Sequence, residues 1–561
     1  MSENDMEATI RKYALQNAVL YAGKANPKAV QGKVLAESPE LRTRTKEVLP
    51  LIASIVEQVN SMSVEAQHKE LSEIDVTLLK REKTERRIGL PELPDMERGK
   101  VVMRFAPGPS GPLHLGHTRV AILNDDYCRN YDGKFINRVE DTNPDKIDPN
   151  AYDMIPEDLE WLGVKVHQTV IQSDRFEIYY DIAKKLIEMG RAYVCTCPVE
   201  EWRGLKEKCL PCPHHDEDVP TTMEKFEKML AGHYEEEKAV LVVKTDLKHP
   251  NPAIRDFVGL RIVTSTPHPL KGSKYCLYPM MNFSVAIDDH LLGLTHVLRG
   301  KDHLNNTMRQ EYIFKYFGWK QPHYTHYGLV SVPDAILKTS TVGKGIKSGE
   351  YTGWDDVRLG TVRAMAKRGF SADAIRHFWV DCGIKETDIE FSWDNLFAYN
   401  KDIVDKTSNR YFFVWDPMPL QICGVQELSA RVPRHPGHPE MGTREFHLNA
   451  PIIVNVVEKD LQAAMEAGKA RLKDLANVEL RSGKATYVGN DLSFVKEGAK
   501  IIHWVPDNCV PASVIMPTGE SKDGFAECIP KEEEGKVVQF ERFGFVKIEK
   551  VSPKLVAYFT H

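Results

Sequence analysis

The sequence predicts a multidomain chain in which a parallel α/β sheet lies between a helical N-terminal region and C-terminal antiparallel β-barrels. Three observations carry that expectation. Apolar residues recur at helical spacing through the first 95 residues. Residues 101–139 then run as a short apolar stretch, a Pro/Gly-rich turn, a helix-like stretch and a second apolar run, which is the order of a βαβ unit. Beyond about residue 420, short β-rich runs alternate with Gly, Pro, Asn and Asp.

Composition sets the outer limits. The 561 residues correspond to roughly three or four domains at ~150 residues each. The formal charge of −6 excludes an indiscriminate polycation and leaves room for a local basic surface. Ten cysteines spread along the chain argue against a disulfide scaffold and for a reducing compartment. MSENDMEATI is too polar and acidic for a secretory leader, and no apolar run approaches the ~18 residues of a membrane span. A cytoplasmic protein without membrane contact is expected.

Ile10, Tyr13, Ala14, Ala18 and Tyr21 share one face of a first helix, which Gly23 stops. Leu51, Ile52, Ile55, Val56 and Val59 share a face of another, and Lys80 to Arg87 (KREKTERR) reads as a charged linker or solvated helix surface. In the middle region the strands are Val101–Phe105 and Lys134–Val139, with a helix from His117 to Tyr131 between them. Residues 151–190 and 300–318 read as further helices of that layer. The runs PIIVNVV, KIIHWV, VVQFERFGFVKI and LVAYF supply the β-rich tail, a composition suited to a recognition module.

The stretch from Arg104 reads RFAPGPSGPLHLGH. Pro107 and Pro109 stiffen the turn, while Gly111 and Gly116 leave the backbone unshielded where a helix begins. A helix start offers free N–H groups and partial positive charge, which suits a phosphate chain. His114 and His117 are placed to donate hydrogen bonds to oxygens that gain charge as a phosphate bond breaks. Further on, Cys195, Cys197, Cys209 and Cys212 are spaced C-x-C-x11-C-x2-C. Two close pairs of thiolates about a dozen residues apart suit a tetrahedral structural Zn²⁺, with His214 as a substitute fourth ligand.

RFAPGPSGPLHLGH resembles the HIGH motif of class I aminoacyl-tRNA synthetases, in the form of the glutamyl/glutaminyl subgroup. RVEDTNP (Arg138 to Pro144), YPMMNFSVAIDDHLLGLTHVLRGKDH (Tyr278 to His303), GWDDVRLGT (Gly353 to Thr361) and the pair HWVP…QFERFGF resemble the same subgroup, so the likeness runs from about residue 96 to the end. The all-β tail is similar to glutaminyl and archaeal/eukaryotic-type glutamyl enzymes. After the helical region that spacing gives over 1–95, the resemblance implies a Rossmann-like catalytic domain over 96–330 with an acceptor-end insertion around 193–270, a loop and stem-contact domain over 331–420, and anticodon-binding β-barrels over 421–561. It also implies ATP with Mg²⁺, an amino acid and tRNA as partners, acting on a monomer whose N-terminal helices could take a protein partner.

By the same resemblance, Pro107, Gly111, His114, Gly116 and His117 bind ATP. Arg104 takes a substrate carboxylate and Glu140 the α-ammonium group. Arg299, in HVLRG, stands where glutamyl enzymes carry arginine and glutaminyl enzymes a small uncharged residue. A fixed guanidinium suits a carboxylate and not an amide, so L-glutamate is expected over glutamine. Met281 falls where bacterial relatives carry tyrosine, with Tyr278 and Asn282 beside it as further glutamate-pocket residues. The lysine loop of the family (KMSKS) matches DAILKTSTVGKGIKSG, Asp334 to Gly349, with Thr339 at the usual lysine position and Lys338 and Lys344 left to supply the charge. The expected reaction is ligation of glutamate to tRNA for glutamate, and with relaxed tRNA choice also to tRNA for glutamine. The alternatives are a glutamine–tRNA ligase, a non-catalytic tRNA-binding paralogue, or a small-molecule nucleotidyltransferase sharing the HIGH turn.

Overall fold

The computed structural model describes every residue except 1–2, 22, 39–40, 42–44, 76–77, 79–88, 334 and 482–483. The charged segment from Lys80 to Arg87 therefore lies outside the described residues. Two compact units divide the chain, Met1–Ile88 and Gly89–His561. Among the described residues no helix is long and apolar enough to cross a membrane.

The first unit consists of α1 (Glu3–Leu20), α2 (Pro27–Glu37), α3 (Thr45–Asn60) and α4 (Val64–Ile74). Ile10, Ala14 and Ala18 of α1 are buried against Val30 and Val34 of α2, Ile52, Ile55, Val56 and Val59 of α3, and Leu71 of α4. Asn26 and Ser63 cap α2 and α4 by accepting backbone N–H bonds. Tyr21, expected on the buried face of α1, is instead 60% exposed. The helix stops one residue before it, because Gly23 at φ +87 turns the chain back and donates its N–H to the Ala18 carbonyl.

In the second unit, β1 (Val102–Phe105), α5 (Leu115–Asn130) and β2 (Lys134–Val139) form the anticipated βαβ unit. Next come α6 (Ala151–Trp161) and β3 (Gln168–Ile171). β1, β2 and β3 pair in parallel, Met103 opposite Phe135 and Ile136 opposite Gln168. Met103, Phe105, Ala121, Ile122, Leu123, Phe135 and Ile155 fill the layer between sheet and helices. The stretch 151–190 is not purely helical, since the four-residue β3 sits inside it, too short to show a period. Then follow α7 (Phe176–Glu188), β4 (Ala192–Cys195), α8 (Val199–Glu207), α9 (Val219–Leu230), β5 (Val240–Val243), β6 (Phe257–Ile262) and β7 (Leu277–Pro279). Their four strands make an antiparallel sheet in sequence order with its own core around Phe176, Phe226, Leu241, Leu260 and Phe283.

The chain returns to the parallel layer through α10 (Met281–Leu291), β8 (His296–Gly300), α11 (Leu304–Phe317) and β9 (His323–Tyr327). β8 pairs in parallel with β9. Thr295 ties the two halves of the layer together: its N–H donates to the Val102 carbonyl and its hydroxyl accepts from the Val102 N–H, both at 2.9 Å. The carboxyl ends of β1, β2 and β8 thus face one crevice, the usual place for a site in an open parallel sheet.

The β-rich tail begins at Arg410, eleven residues before 421. Residues 410–415 form one extended segment broken at Phe412. Arg410–Tyr411 pair in parallel with 537–540, and Phe413–Trp415 pair antiparallel with 521–526. These two pairings are the two ends of a seven-strand order, so the sheet closes on itself. A second seven-strand order likewise starts at Lys500–Ile502 and ends at Val505–Pro506, with two residues between them in sequence. Both barrels are mixed rather than antiparallel throughout, with parallel pairs such as Ala512–Ile515 on Leu555–Tyr558. Parallel partners need long connections, and residues 521–550, which hold two further strand pairings, supply one here.

Side chains alternate along the 410–415 segment. Tyr411 and Phe413 point into the barrel of 510–559, while Phe412 packs with Trp504 and Val454 in the other. Phe412 is completely buried, and its removal leaves a cavity that the closed sheet cannot collapse to fill. Phe412→Ala is expected to cost about 3–5 kcal/mol, read as a calorimetric transition moved to lower temperature, while Phe412→Leu moves it much less.

Candidate active site

The turn after β1 is fixed by backbone bonds. The Pro107 carbonyl accepts from Glu140 N–H and the Pro109 carbonyl from Asp148 N–H, so the loop following β2 is tied down beside it. Gly111 stands where a Cβ would meet the Trp354 ring at 2.9 Å. α5 starts at Leu115, two residues before the expected His117, because His114 caps it. His114 Nδ1 accepts from Gly116 N–H at 3.1 Å and His117 Nδ1 accepts from His114 N–H at 3.5 Å. Each ring therefore carries its own proton on Nε2 and presents a donor. The two rings stack with centroids 3.6 Å apart. Burial pushes His114 down to about 4 and His117 well below its ordinary value, a shift that the neighbouring His114 reinforces. Both rings are neutral donors near pH 7, not cations.

Residues 335–361 close over this turn. Leu115 N–H donates to the Gly360 carbonyl and Val362 N–H to the Leu113 carbonyl. Ile336 bridges to Leu359, and Leu337 packs so tightly on Gly360 that a Cβ there would lie 2.6 Å from it. The helix α12 (Thr339–Ser348) begins at the Thr339 position, and the Thr339 hydroxyl meets that of Ser110 at 2.9 Å. Lys338 and Lys344 are exposed, and neither forms an ion pair among the described residues. Asp334, the first residue of the loop, lies outside the described residues. A cavity of about 760 Å³ opens between the two segments, lined by Ser110, Lys146, Thr339, Lys344 and Trp354 among others.

Beside the turn, three strands each deliver an arginine: Arg104 from β1, Arg138 from β2 and Arg299 from β8, exposed by 7%, 0% and 5%. Two carboxylates face them. Asp289 of α10 accepts from Arg138 at 2.6 Å and lies 3.9 Å from Arg104. Glu140 accepts from the other arm of Arg138 at 2.9 Å. Burial opposes the charge of Arg138, but Asp289 and Glu140 outweigh it and hold this guanidinium above its ordinary value. Among the described residues Arg299 has no carboxylate partner, and burial pulls it down to about 10. The Nε atoms of Arg104, Arg138 and Arg299 are all buried without a hydrogen-bond partner among the described residues. Asn282 joins through Gln310, whose Nε2 donates to Asn282 Oδ1 at 3.3 Å. Tyr278 is not brought to the guanidinium groups. It is the middle residue of β7 and buried, its ring 5.3 Å from Phe176 and stacked on His268, held in the core of the antiparallel sheet.

The cysteine group differs from a four-thiolate reading. Cys195, Cys197, Cys212 and His214 bring one ligand atom each to within 4.8 Å of one another. Cys209 is outside the set. It sits at φ +58 just past the end of α8, its N–H on the Lys206 carbonyl, and that left-handed turn spends it on stopping the helix. The Cys195 and Cys212 sulfurs are 3.8 Å apart, which matches the ~3.8 Å edge of a tetrahedron with metal–sulfur bonds of ~2.3 Å. His214 Nδ1 lies 3.3 Å from the Cys197 sulfur, and its Nε2 is 3.0 Å from the Thr196 hydroxyl, an outer partner of the kind that orients a ligating imidazole. The residues fit a closed four-coordinate Zn²⁺ site.

Comparison with known proteins decides the family. Residues 100–406 match the model of the class I (E and Q) tRNA synthetase catalytic domain, and residues 408–493 and 501–549 match two models of the anticodon-binding domain of the same class. The chain belongs to the class I E and Q tRNA synthetases. A glutamate–tRNA ligase of Methanocaldococcus jannaschii is 50% identical over 552 residues, covering 97% of this chain and 98% of that protein. Glutamate–tRNA ligases of Pyrococcus furiosus and Pyrococcus abyssi are 48% and 47% identical, each covering 99% of this chain and the whole of the relative.

In this synthetase the residues that sequence reading did not single out are the buried partners: Arg138, Asp289, Tyr324, Thr307 and Gln310. One signal was available, since Asp288 and Asp289 interrupt the otherwise apolar FSVAI face of α10, and a buried acid needs a partner. The histidine pair carries a pH consequence. Free histidine titrates near 6.5, and His114 in the folded chain titrates at about 4. As pH falls through that window, the unfolded chain takes up a proton that the folded chain refuses, so stability falls. His114→Gln is expected to flatten the dependence of Tm on pH between 6.5 and 4. Melts at pH 7 and pH 5 check this, and an unchanged slope would mean that the ring protonates in place.

Proposed function

We propose that the chain ligates L-glutamate to the 3′ end of tRNA. The observation that carries this reading is the charge of the pocket. Three buried guanidiniums face two carboxylates, which leaves one positive charge over. Glutamate, with two carboxylates and one ammonium group, brings one net negative charge, whereas glutamine brings none. Arg299 takes the side-chain carboxylate, Arg104 the α-carboxylate and Glu140 the α-ammonium group. An unpaired buried guanidinium facing an amide is a strong rejection device. Family membership implies ATP and Mg²⁺, and the names of the relatives support glutamate and tRNA.

In the first step an oxygen of the α-carboxylate attacks the α-phosphorus of ATP, forming glutamyl-adenylate and releasing pyrophosphate. The Nε2–H groups of His114 and His117 hydrogen-bond the phosphate oxygens, and Lys338 and Lys344 offset charge along the triphosphate, with Thr339 at the position where the family motif has lysine. Gly111 and Gly116 let the nucleotide lie against the backbone of the turn. In the second step a terminal ribose hydroxyl of tRNA attacks the adenylate carbonyl, loses its proton and expels AMP. Such chemistry needs positioning and charge neutralisation rather than a protein nucleophile. Residues 408–549 read the anticodon, where exposed bases stack and present their edges.

ATP–pyrophosphate exchange in the presence of tRNA tests the amino acid. Glutamate is expected to support exchange and glutamine not to, and Arg299→Ala is expected to raise KM for glutamate about a hundredfold or more. A preference for glutamine overturns the assignment. Charging of purified tRNA for glutamate and tRNA for glutamine, side by side, measures how narrowly the tRNA is chosen.

We also propose that Cys195, Cys197, Cys212 and His214 hold a structural Zn²⁺, which cross-links β4 to the loop after α8 and leaves no open coordination position. One zinc per chain is expected by elemental analysis. Cys209→Ser is expected to keep it and Cys212→Ser to lose it, with a lower Tm. Zinc lost equally from both variants would restore the four-thiolate reading.

A further inference from the structure

Among the described residues, the side-chain partners of Arg299 are neutral groups. One guanidinium nitrogen donates to Gln310 Oε1 at 3.0 Å and another to Thr307 Oγ1 at 2.5 Å, while the guanidinium carbon lies 4.2 Å from the centre of the Tyr324 ring. Thr307 Oγ1 also meets His326 Nε2 at 2.8 Å and donates to the His303 carbonyl at 3.2 Å. Arginine only donates, so Gln310 must turn its carbonyl oxygen toward Arg299, and its amide nitrogen then reaches Asn282 Oδ1. The two carboxylates nearby are engaged elsewhere, Asp289 and Glu140 both on Arg138. Gln310 is completely buried and Thr307 and Arg299 nearly so, hence water does little to screen the guanidinium from these partners.

We propose that Gln310 and Thr307 are positioning residues that aim Arg299 while leaving its charge unspent, and that the neutrality of Gln310 is itself a determinant of amino-acid choice. This rests on the reading of Arg299 as the partner of the glutamate side chain. A carboxylate at position 310 would occupy the guanidinium from inside the protein with the geometry intended for the substrate. Glutamate would then meet a neutralised arginine, and the penalty on the amide of glutamine would shrink. The amide at 310 is thus selected against its own near-isostere, glutamate.

Gln310→Glu and Gln310→Met separate charge from shape, because both remove a neutral acceptor and only the first adds an anion. In exchange assays with tRNA, Gln310→Glu is expected to raise KM for glutamate roughly a hundredfold and Gln310→Met about tenfold, since a fully buried charge pair outweighs a single hydrogen bond. KM for ATP is expected to stay unchanged in both. The ratio of glutamine to glutamate exchange rises in Gln310→Glu alone. Equal effects of the two variants, or a rise in KM for ATP in step with that for glutamate, overturns the proposal by reducing Gln310 to a packing role. Should Gln310→Glu fail to fold by its melting curve, Thr307→Asp against Thr307→Val poses the same question at the other nitrogen, with the same two outcomes. Arg299→Ala tells the two levels apart. If KM for glutamate ignores it, the reading of Arg299 falls. If it responds while Gln310→Glu does not, only the present inference falls.

Discussion

Keeping a positive charge in the interior is the constraint around which the rest of the catalytic layer is arranged. A guanidinium removed from water loses several kcal/mol of hydration unless something replaces it. Here the replacement is graded across three adjacent strands. Arg138, on the middle strand of the three-stranded sheet, has two carboxylates. Arg104, next to it on β1, has one at the edge of contact. Arg299, on β8, has hydrogen bonds and an aromatic face and no anion at all. The gradient is one of anions: the arginine with two carboxylates orients Glu140, and the one with neutral partners only is the one proposed to take the substrate's carboxylate.

The nucleotide side of the crevice follows a different rule. There the protein presents neutral donors whose direction is set by its own backbone, since the Nδ1 atoms of His114 and His117 are both occupied by main-chain N–H groups. On the proposed reading, positive charge for the phosphates comes from the exposed Lys338 and Lys344, on a segment linked to the turn through Ser110 and Thr339 and through the Gly360 carbonyl. Fixed charge is kept where the substrate is small and must be discriminated. Charge on exposed side chains is kept where, on the proposed reading, a large polyanion enters and pyrophosphate leaves.

Sequence reading went furthest where the determinants are local. The β1–turn–α5–β2 unit lies within forty residues, and its prolines, glycines and strand periods are all visible in the chain. It failed where a partner comes from far away. Asp289 reaches Arg138 across 151 residues, and no spacing announces that Gln310 faces Arg299 rather than solvent. Tyr278 and Asn282 sit four residues apart and go to different places, one into a hydrophobic core and the other toward the pocket network. The cysteine spacing could not say which of four thiols would be used, because the left-handed turn at Cys209 is a property of how α8 ends. Tyr21 and the mixed strand directions of the tail were missed for the same reason: both depend on where the chain turns, which period alone does not reveal.

The segment Tyr411-Phe412-Phe413 closes one barrel through its flanks and fills the other through its middle residue. Two family models divide the tail between residues 493 and 501, yet this three-residue stretch near the start of the first belongs mechanically to the second as well. Heredity and mechanics draw the border in different places. Grafting either half onto another synthetase would open a seam in its own sheet and leave an aromatic ring without a socket, so the tail travels as one piece or not at all.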